Sequence, residues 1–209
     1  MIKAPIIVIG AGGHAKVVID AIEQSDHYQI SRVLDDAPSK IGQMILGYQI
    51  TSFAEIKSLE KQYFIVAIGQ DYIRRRKYID LMKFGFTPVT IVHPLAVLSP
   101  HANIDSGCYV GANTVINPGA DVKENTILNT ATVIEHDVSI GAHSQISPAA
   151  VICGRVRVGE QVYIGANAVI RQLINIVSGT TIGAGAAVVK NITQAGTYVG
   201  CPAQRLERK

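Results

Sequence analysis

Three groups of residues carry the types and spacing that chemistry requires. The first is Glu135-His136-Asp137, an imidazole flanked on both sides by carboxylates. Neutral imidazole takes up a proton near physiological pH, and an adjacent carboxylate can orient the ring and stabilise the imidazolium that forms. The pair can act as a general base toward an attacking amine or hydroxyl; the competing reading is an exposed histidine with no task. Adjacency alone leaves open whether Asp137 or Glu135 reaches the ring. The second group, Gly10-Ala11-Gly12-Gly13-His14-Ala15, fits G-x-G-x-x-G/A, with the acidic pair Asp35-Asp36 downstream. A glycine backbone lets an anion approach helix-start amides, so any nucleotide diphosphate satisfies this pattern, and it points to a nucleotide rather than to hydride transfer. The other reading is that these glycines only permit a tight turn. The third group is Arg74-Arg75-Arg76-Lys77, which reads as a solvated helix face, with phosphate binding as the alternative.

The elements that position the glycine turn alternate strand and helix. Pro5 to Gly10 is a continuous β-branched run of the kind buried on both sheet faces, and Val17, Val18, Ile19, Ala21 and Ile22 lay an apolar stripe along a helix after the turn. Further strands are expected at Ile30–Leu34, Tyr63–Ile68 and Thr90–Val92, with a second helix from Tyr72 to Phe84. This predicts a small Rossmann-like parallel sheet over residues 1–92, with ligands beyond the carboxyl ends of the strands, where Gly10, Asp35 and Gly69 fall. Gly12, Gly13 and His14 should then approach a diphosphate. Asp35 and Asp36 should face base and ribose, since carboxylates suit the N–H groups of uracil or guanine and ribose hydroxyls alike.

His136 lies in a different architecture. From Ile104 to Val188 an aliphatic residue recurs every six positions without a break, preceded two residues earlier by a small or β-branched one and often followed by Gly, as at Gly111, Gly141, Gly159, Gly165 and Gly183. No helix keeps a period of six facing inward, whereas a coil with three short flat sides does. Residues 93–209 are therefore expected to form a triangular parallel β-helix of 18-residue coils, with Gly or Asn at the corners. His136, two places after the inward Ile134, points out of the prism. Flat apolar prisms associate through their long faces.

Composition narrows the function classes. The 209 residues are 48% hydrophobic and 17% charged, with a net charge of +3, too small and dispersed to predict nucleic-acid binding. The longest apolar runs fall far short of a membrane span, and the first residues do not read as a secretory signal, so a cytoplasmic location is expected. Cys108, Cys153 and Cys201 share no short spacing, which argues against a disulfide framework and a zinc site.

Over nearly its whole length the chain resembles the NeuD/PglD-like nucleotide-sugar and sialic acid acetyltransferases. The matching stretches are IVIGAGGHAKVV, Asp35-Asp36, the AIG of Ala67–Gly69, the hexapeptide array, NTATVIEHD from Asn129 to Asp137, and VGCPAQ from Val199 to Gln204. The resemblance implies a homotrimer of left-handed β-helices that transfers acetyl from acetyl-CoA, without a metal, to a nucleotide-linked sugar held by the N-terminal domain. It makes His136 the base, Asp137 its assistant and Asn129 a substrate contact. Gly69 lets the sugar nucleotide pass close to a strand end. Where the family carries a second histidine, this chain has Gln145, whose amide can still donate; His143 is out of phase. Coenzyme A is expected along the later coils, with Ala166 and Ala184 at its main-chain contacts and Lys190 and Arg205 as possible phosphate partners. The Gly141 amide is the expected oxyanion donor. The expected acceptor is the amine of a UDP-linked 4-amino-4,6-dideoxy sugar. GDP-perosamine, a sialic acid hydroxyl, a nicotinamide-dependent enzyme built on the glycine turn, and a non-catalytic trimeric scaffold are the alternatives.

Overall fold

In the computed structural model residues 3–207 are described, and the chain divides into two compact units between Pro94 and Leu95. The outer limits expected for the two domains, residues 1 and 209, lie outside the described residues.

The first unit contains strands β1 (Ala4–Ile9), β2 (Tyr28–Asp35), β3 (Met44–Ile45), β4 (Tyr48–Ser52), β5 (Tyr63–Val66) and β6 (Thr87–Pro88). Helix α1 (Gly13–Gln24) follows β1 and α2 (Asp71–Lys83) follows β5. The sheet order is β3-β4-β2-β1-β5-β6, parallel except for the β3–β4 hairpin. Ile6, Ile7, Val8 and Ile9 are all buried, as a central strand covered on both faces requires. On α1, Ala15, Val18, Ile19 and Ile22 face the core at helical spacing. Because β2 and β5 flank β1 on opposite sides, the strand order reverses at β1, and the crevice beyond its carboxyl end is the switch point where such sheets take ligands.

The first unit departs from the expected pattern in three respects. The β3–β4 hairpin is an element beyond the strands expected. The last strand of the sheet is Thr87–Pro88 rather than Thr90–Val92: Thr87 and Val89 donate to Gln62 and Phe64, and Pro88, with no N–H, sits between them on an edge strand where none is needed. Ile91–Val92 does form a strand, but outside this sheet. Nor is the basic run uniformly solvated. The buried stripe of α2 runs through Arg74, Tyr78 and Leu81, so Arg74 is 1% exposed and Lys77 lies over the Phe53 ring while pairing with Asp36.

The second unit is a three-sided parallel β-helix. Each expected aliphatic position from Ile104 to Val188 is the second residue of a two-residue strand, and all but the half-buried Ile104 are buried. Strands eighteen residues apart pair in parallel, for example Val115–Ile116 with Val133–Ile134 and then with Val151–Ile152. The buried small positions satisfy their hydroxyls at the corners: Thr114 Oγ1 donates to Asn129 O at 3.0 Å and Ser144 Oγ to Gly159 O at 3.0 Å. The corners differ from expectation. Left-handed φ falls on Asn113, Asn125 and Asn167, but also on Ala131, Asp137, His143 and Arg155. Gly141, by contrast, has no left-handed φ. A Cβ there would lie 2.5 Å from Gly159 C, so its glycine serves the close approach of successive coils.

Outward residues differ by side. One side presents Val97, Val115, Val133, Val151 and Val169; another presents Asn103, Asp121, Ser139, Arg157 and Asn175. Truncating the inward column is expected to be costly and truncating the polar face is not. Ile152→Ala, in the middle of the stack, should destabilise the unit by about 2–5 kcal/mol, and Arg157→Ala by no more than about 0.5 kcal/mol. Denaturant midpoints of the two variants check this, and equal losses would contradict the assigned facing.

Candidate active site and nucleotide turn

The His136 corner follows the strand Val133–Ile134, whose inward Ile134 turns the next residues out to solvent. Asp137 adopts φ +60°, a conformation that aspartate tolerates better than most residues, and its N–H donates to Pro118 O of the preceding coil at 3.1 Å. This turn brings the carboxylate to the ring, with Nδ1 and Asp137 Oδ2 2.9 Å apart. Glu135 instead accepts from the His136 backbone N–H at 3.4 Å, so the carboxylate partner of the imidazole is Asp137. The hydrogen bond from His136 comes first among the influences holding the Asp137 carboxyl below its usual range, and Arg155 adds to it with Nε 3.7 Å from Oδ2. In a neutral ring, donation of Nδ1–H to the Asp137 carboxylate leaves the lone pair on Nε2, where a general base needs it.

Two residues at this corner were missed in the sequence, Gly154 and Arg155. Both lie one coil along from the pair, and the eighteen-residue period applied to 136 and 137 leads to them. On the next coil, just after the strand Val151–Ile152, Cys153 has its thiol pushed up, first by burial and then by Glu135.

The other expected site residues of this unit fall elsewhere. The Gly141 N–H donates to Val158 O at 2.8 Å as part of the coil ladder, so the oxyanion role expected for it does not fit. Gln145 lies on the side of the triangle opposite the His136 corner, so within one chain the two do not meet. Its Oε1 is buried without a hydrogen-bond partner among the described residues. His143 is buried, with Nδ1 2.8 Å from Asn125 Nδ2. Asn129, Ala166 and Ala184 share the corner at the other edge of the valine side, and Asn129 Oδ1 accepts from Thr130 N at 2.9 Å. Arg205 donates to Gln194 Oε1 at 2.9 Å and to Ala195 O at 3.2 Å, whereas Lys190 borders a cavity of about 390 Å³ with Arg171, Gln172 and Leu173. Residues 172 and 190 stand in the same eighteen-residue column as His136, so this basic cavity lies further along its corner.

In the first unit Gly10 has φ +107°, and a Cβ there would lie 2.7 Å from Ile68 Cγ1, so only glycine fits. Space is open around Gly12, Gly13 and Gly69, where an added Cβ would meet nothing within 4 Å. Gly12 is the N-cap of α1 without a side-chain cap, and the first turn holds no acid, so the positive end of the helix faces that space. The two carboxylates expected at the nucleotide divide their tasks. Asp35 accepts from Ala11 N at 2.7 Å, Ala37 N at 2.8 Å and Lys40 Nζ at 3.1 Å, so it shapes the turn from within. Burial would raise its pKa, but these donors outweigh it and hold the carboxyl below its usual range. Asp36 is exposed and pairs with Lys77. Arg74 Nη1 donates to Ile68 O at 3.1 Å and Gly69 O at 3.0 Å, fixing the turn after β5. His14 is pushed down to about 4, first by burial and then by Arg74, so the imidazole at the turn is neutral.

Among the described residues no group of three or more His, Cys, Asp or Glu could hold a metal ion, and no helix is long and apolar enough to cross a membrane.

The fold is that of the hexapeptide-repeat transferases with an appended α/β domain. Residues 5–81 match the PglD N-terminal domain, and residues 137–172 match the bacterial transferase hexapeptide (six repeats). The chain belongs to the NeuD/PglD-like sugar acetyltransferases, whose β-helix is left-handed. It is 33% identical to the acetyltransferase domain of PglB from Neisseria gonorrhoeae, covering 98% of this chain and 100% of that one with a TM-score of 0.91. A mutant perosamine N-acetyltransferase from Caulobacter crescentus, in complex with CoA and GDP-perosamine, is 28% identical over 98% of this chain and 97% of that one, with a TM-score of 0.93. A GDP-perosamine N-acetyltransferase of Escherichia coli O157:H7 is 31% identical over 113 residues; the match spans 49% of this chain and 49% of that protein, about half its length.

Burial of neutral His14 has a consequence for stability. Its folded pKa lies below the unfolded value of about 6.5, so between that value and about 4 the unfolded chain binds the extra proton and stability rises with pH across the window. Thermal unfolding of the parent should show that rise and His14→Gln should show a smaller one; identical slopes would contradict the neutral assignment.

Proposed function

We propose that the protein is an acetyl-CoA-dependent N-acetyltransferase acting on a nucleotide-diphosphate-linked amino sugar. The observation that carries this reading is the exposed His136–Asp137 pair at 2.9 Å on a coil corner, in a chain whose relatives include acetyltransferases. The sugar amine attacks the thioester carbonyl, and His136 Nε2 takes the amine proton. The tetrahedral oxyanion collapses to the amide and expels the coenzyme A thiolate, which recovers the proton from the imidazolium. The Gly154 amide is the oxyanion donor supported by the geometry, since among the described residues its N–H is not used in the coil ladder and the ring fills the place a Cβ would take there. Coenzyme A fits the basic cavity beside Lys190 and Arg171, further along the same corner. The diphosphate of the sugar nucleotide fits the open start of α1. Likeness to perosamine N-acetyltransferases supports a GDP-linked amino sugar over the UDP-linked one expected from the sequence.

A homotrimer, implied by the resemblance, is the assembly we propose, and the flat valine side supports it. His136 and the Asn129, Ala166 and Ala184 corner lie at opposite edges of the flat valine side. Packing that side against a second copy would bring one edge of each chain toward the other edge of its neighbour and cover the valines.

A panel of GDP- and UDP-linked amino sugars and sialic acid, scored for coenzyme A release, tests the acceptor, with turnover expected first on the GDP-linked amine. His136→Ala should lower kcat by roughly 10²–10⁴-fold with little change in either KM. Retention of full turnover at pH 7 would remove His136 as the base. Light scattering should give three times the 22.4 kDa chain mass; a monomer at micromolar concentration would defeat the shared-edge arrangement.

A further inference from the structure

The His136–Asp137 corner is open to solvent but flanked along the stack by its neighbours. A Cβ built on Gly154 would lie 2.6 Å from His136 Nε2, 2.8 Å from Cε1 and 3.2 Å from Cδ2, so the imidazole edge occupies the place of a side chain. On the coil before, a Cβ on Gly119 would lie 2.6 Å from Asp137 Oδ1. Asp137 is thus held between a glycine on one side and the Arg155 guanidinium on the other, and Arg155 approaches Oδ2, the oxygen that also faces the ring. We infer that Gly154 and Arg155 are positioning residues for the base: the missing side chain at 154 sets where the imidazole lies, and Arg155 sets the orientation of its carboxylate. This rests on the proposed base role of His136.

The two glycines differ in a way that makes the inference testable. Gly119 has φ +76°, so alanine there strains the backbone whatever the space. Gly154 lies outside the left-handed region, so its backbone accepts alanine, and only the far end of a mobile side chain stands in the way. Alanine at 154 should therefore leave the fold intact and push the ring aside. The N–H of residue 154 survives that substitution, which separates displacement of the base from loss of an amide donor.

Arg155 acts through charge. The titratable and charged groups around the ring are Asp137 and Glu135 on its own turn and strand, and Cys153 and Arg155 on the following coil; the preceding coil presents Pro118 and Gly119. Arg155 is the cation of this set. Removing it frees the carboxylate to stabilise the protonated ring, which moves the acid limb of the rate profile to higher pH.

Gly154→Ala is expected to lower kcat by roughly 10–10²-fold, as misplacement of a reacting group by about 1 Å does, with both KM values little changed and the thermal midpoint retained. In a His136→Ala background the same substitution should cost nothing further, measured in single turnovers. Arg155→Gln should shift the acid limb of kcat/KM upward by up to roughly half a pH unit, the scale of an exposed ion pair, and Arg155→Lys should restore part of the shift. A Gly154→Ala enzyme as active as the parent, an equal loss with and without His136, or an unmoved profile in Arg155→Gln would each overturn the inference. An active His136→Ala enzyme would instead overturn the base assignment beneath it.

Discussion

The parallel backbone ladder between coils eighteen residues apart carries the rest of the second unit. Each turn donates N–H groups to the carbonyls of the next, as Val133 does to Ala150 O at 3.0 Å and Glu135 to Ile152 O at 3.0 Å. Because the ladder is in register, identical positions of successive coils stack into columns. Inward columns become a dry aliphatic core, and corner columns become lines of side chains separated by one strand spacing, about 4.8 Å. A corner residue is therefore always in contact range of the residues eighteen before and after it, whatever their types. The candidate active site is one such column, and its properties follow from what the neighbouring coils place there.

That arrangement explains why an exposed corner can be chemically organised. Asp137 occupies the left-handed position of its turn, a conformation with a cost that aspartate bears better than most residues. The same backbone places its carboxylate on the neighbouring ring rather than in solvent. The glycines at 119 and 154 leave room on either side, so the imidazole and carboxylate lie in the stack instead of being pushed off it. The first unit follows a different physical rule. There the sheet's order reversal opens a crevice, Gly10 brings two strand ends together, and Asp35 spends its oxygens on holding the turn, so that the helix start stays open to an anion.

Charge is handled in a consistent way near that turn. Arg74 is buried but donates to the carbonyls of Ile68 and Gly69, and its proximity, after burial itself, keeps His14 neutral. Lys77 is satisfied by Asp36 and the Phe53 ring. Two members of what reads as one basic run thus serve the shape of the crevice, while Arg75 and Arg76 remain in solvent.

Periodicity made most of the fold legible in the sequence. Fifteen aliphatic residues at a spacing of six define the coil, the inward column and the outward direction of His136, because a period is a local property that backbone geometry converts directly into facing. The glycine turn and its helix were equally readable, since a β-branched run meeting closely spaced glycines has few ways to fold. What escaped were contacts between residues far apart in the chain. The choice of Asp137 over Glu135 depended on a left-handed corner, the loss of Gly141 as a donor on a bond to the next coil, and the burial of Arg74 on which stripe of α2 met the sheet. The sequence by itself determined the repeat and the residue types at the corner. Only the tertiary structure decided which of them touch, because stacking brings together positions eighteen apart and spends some of their hydrogen-bonding groups in doing so.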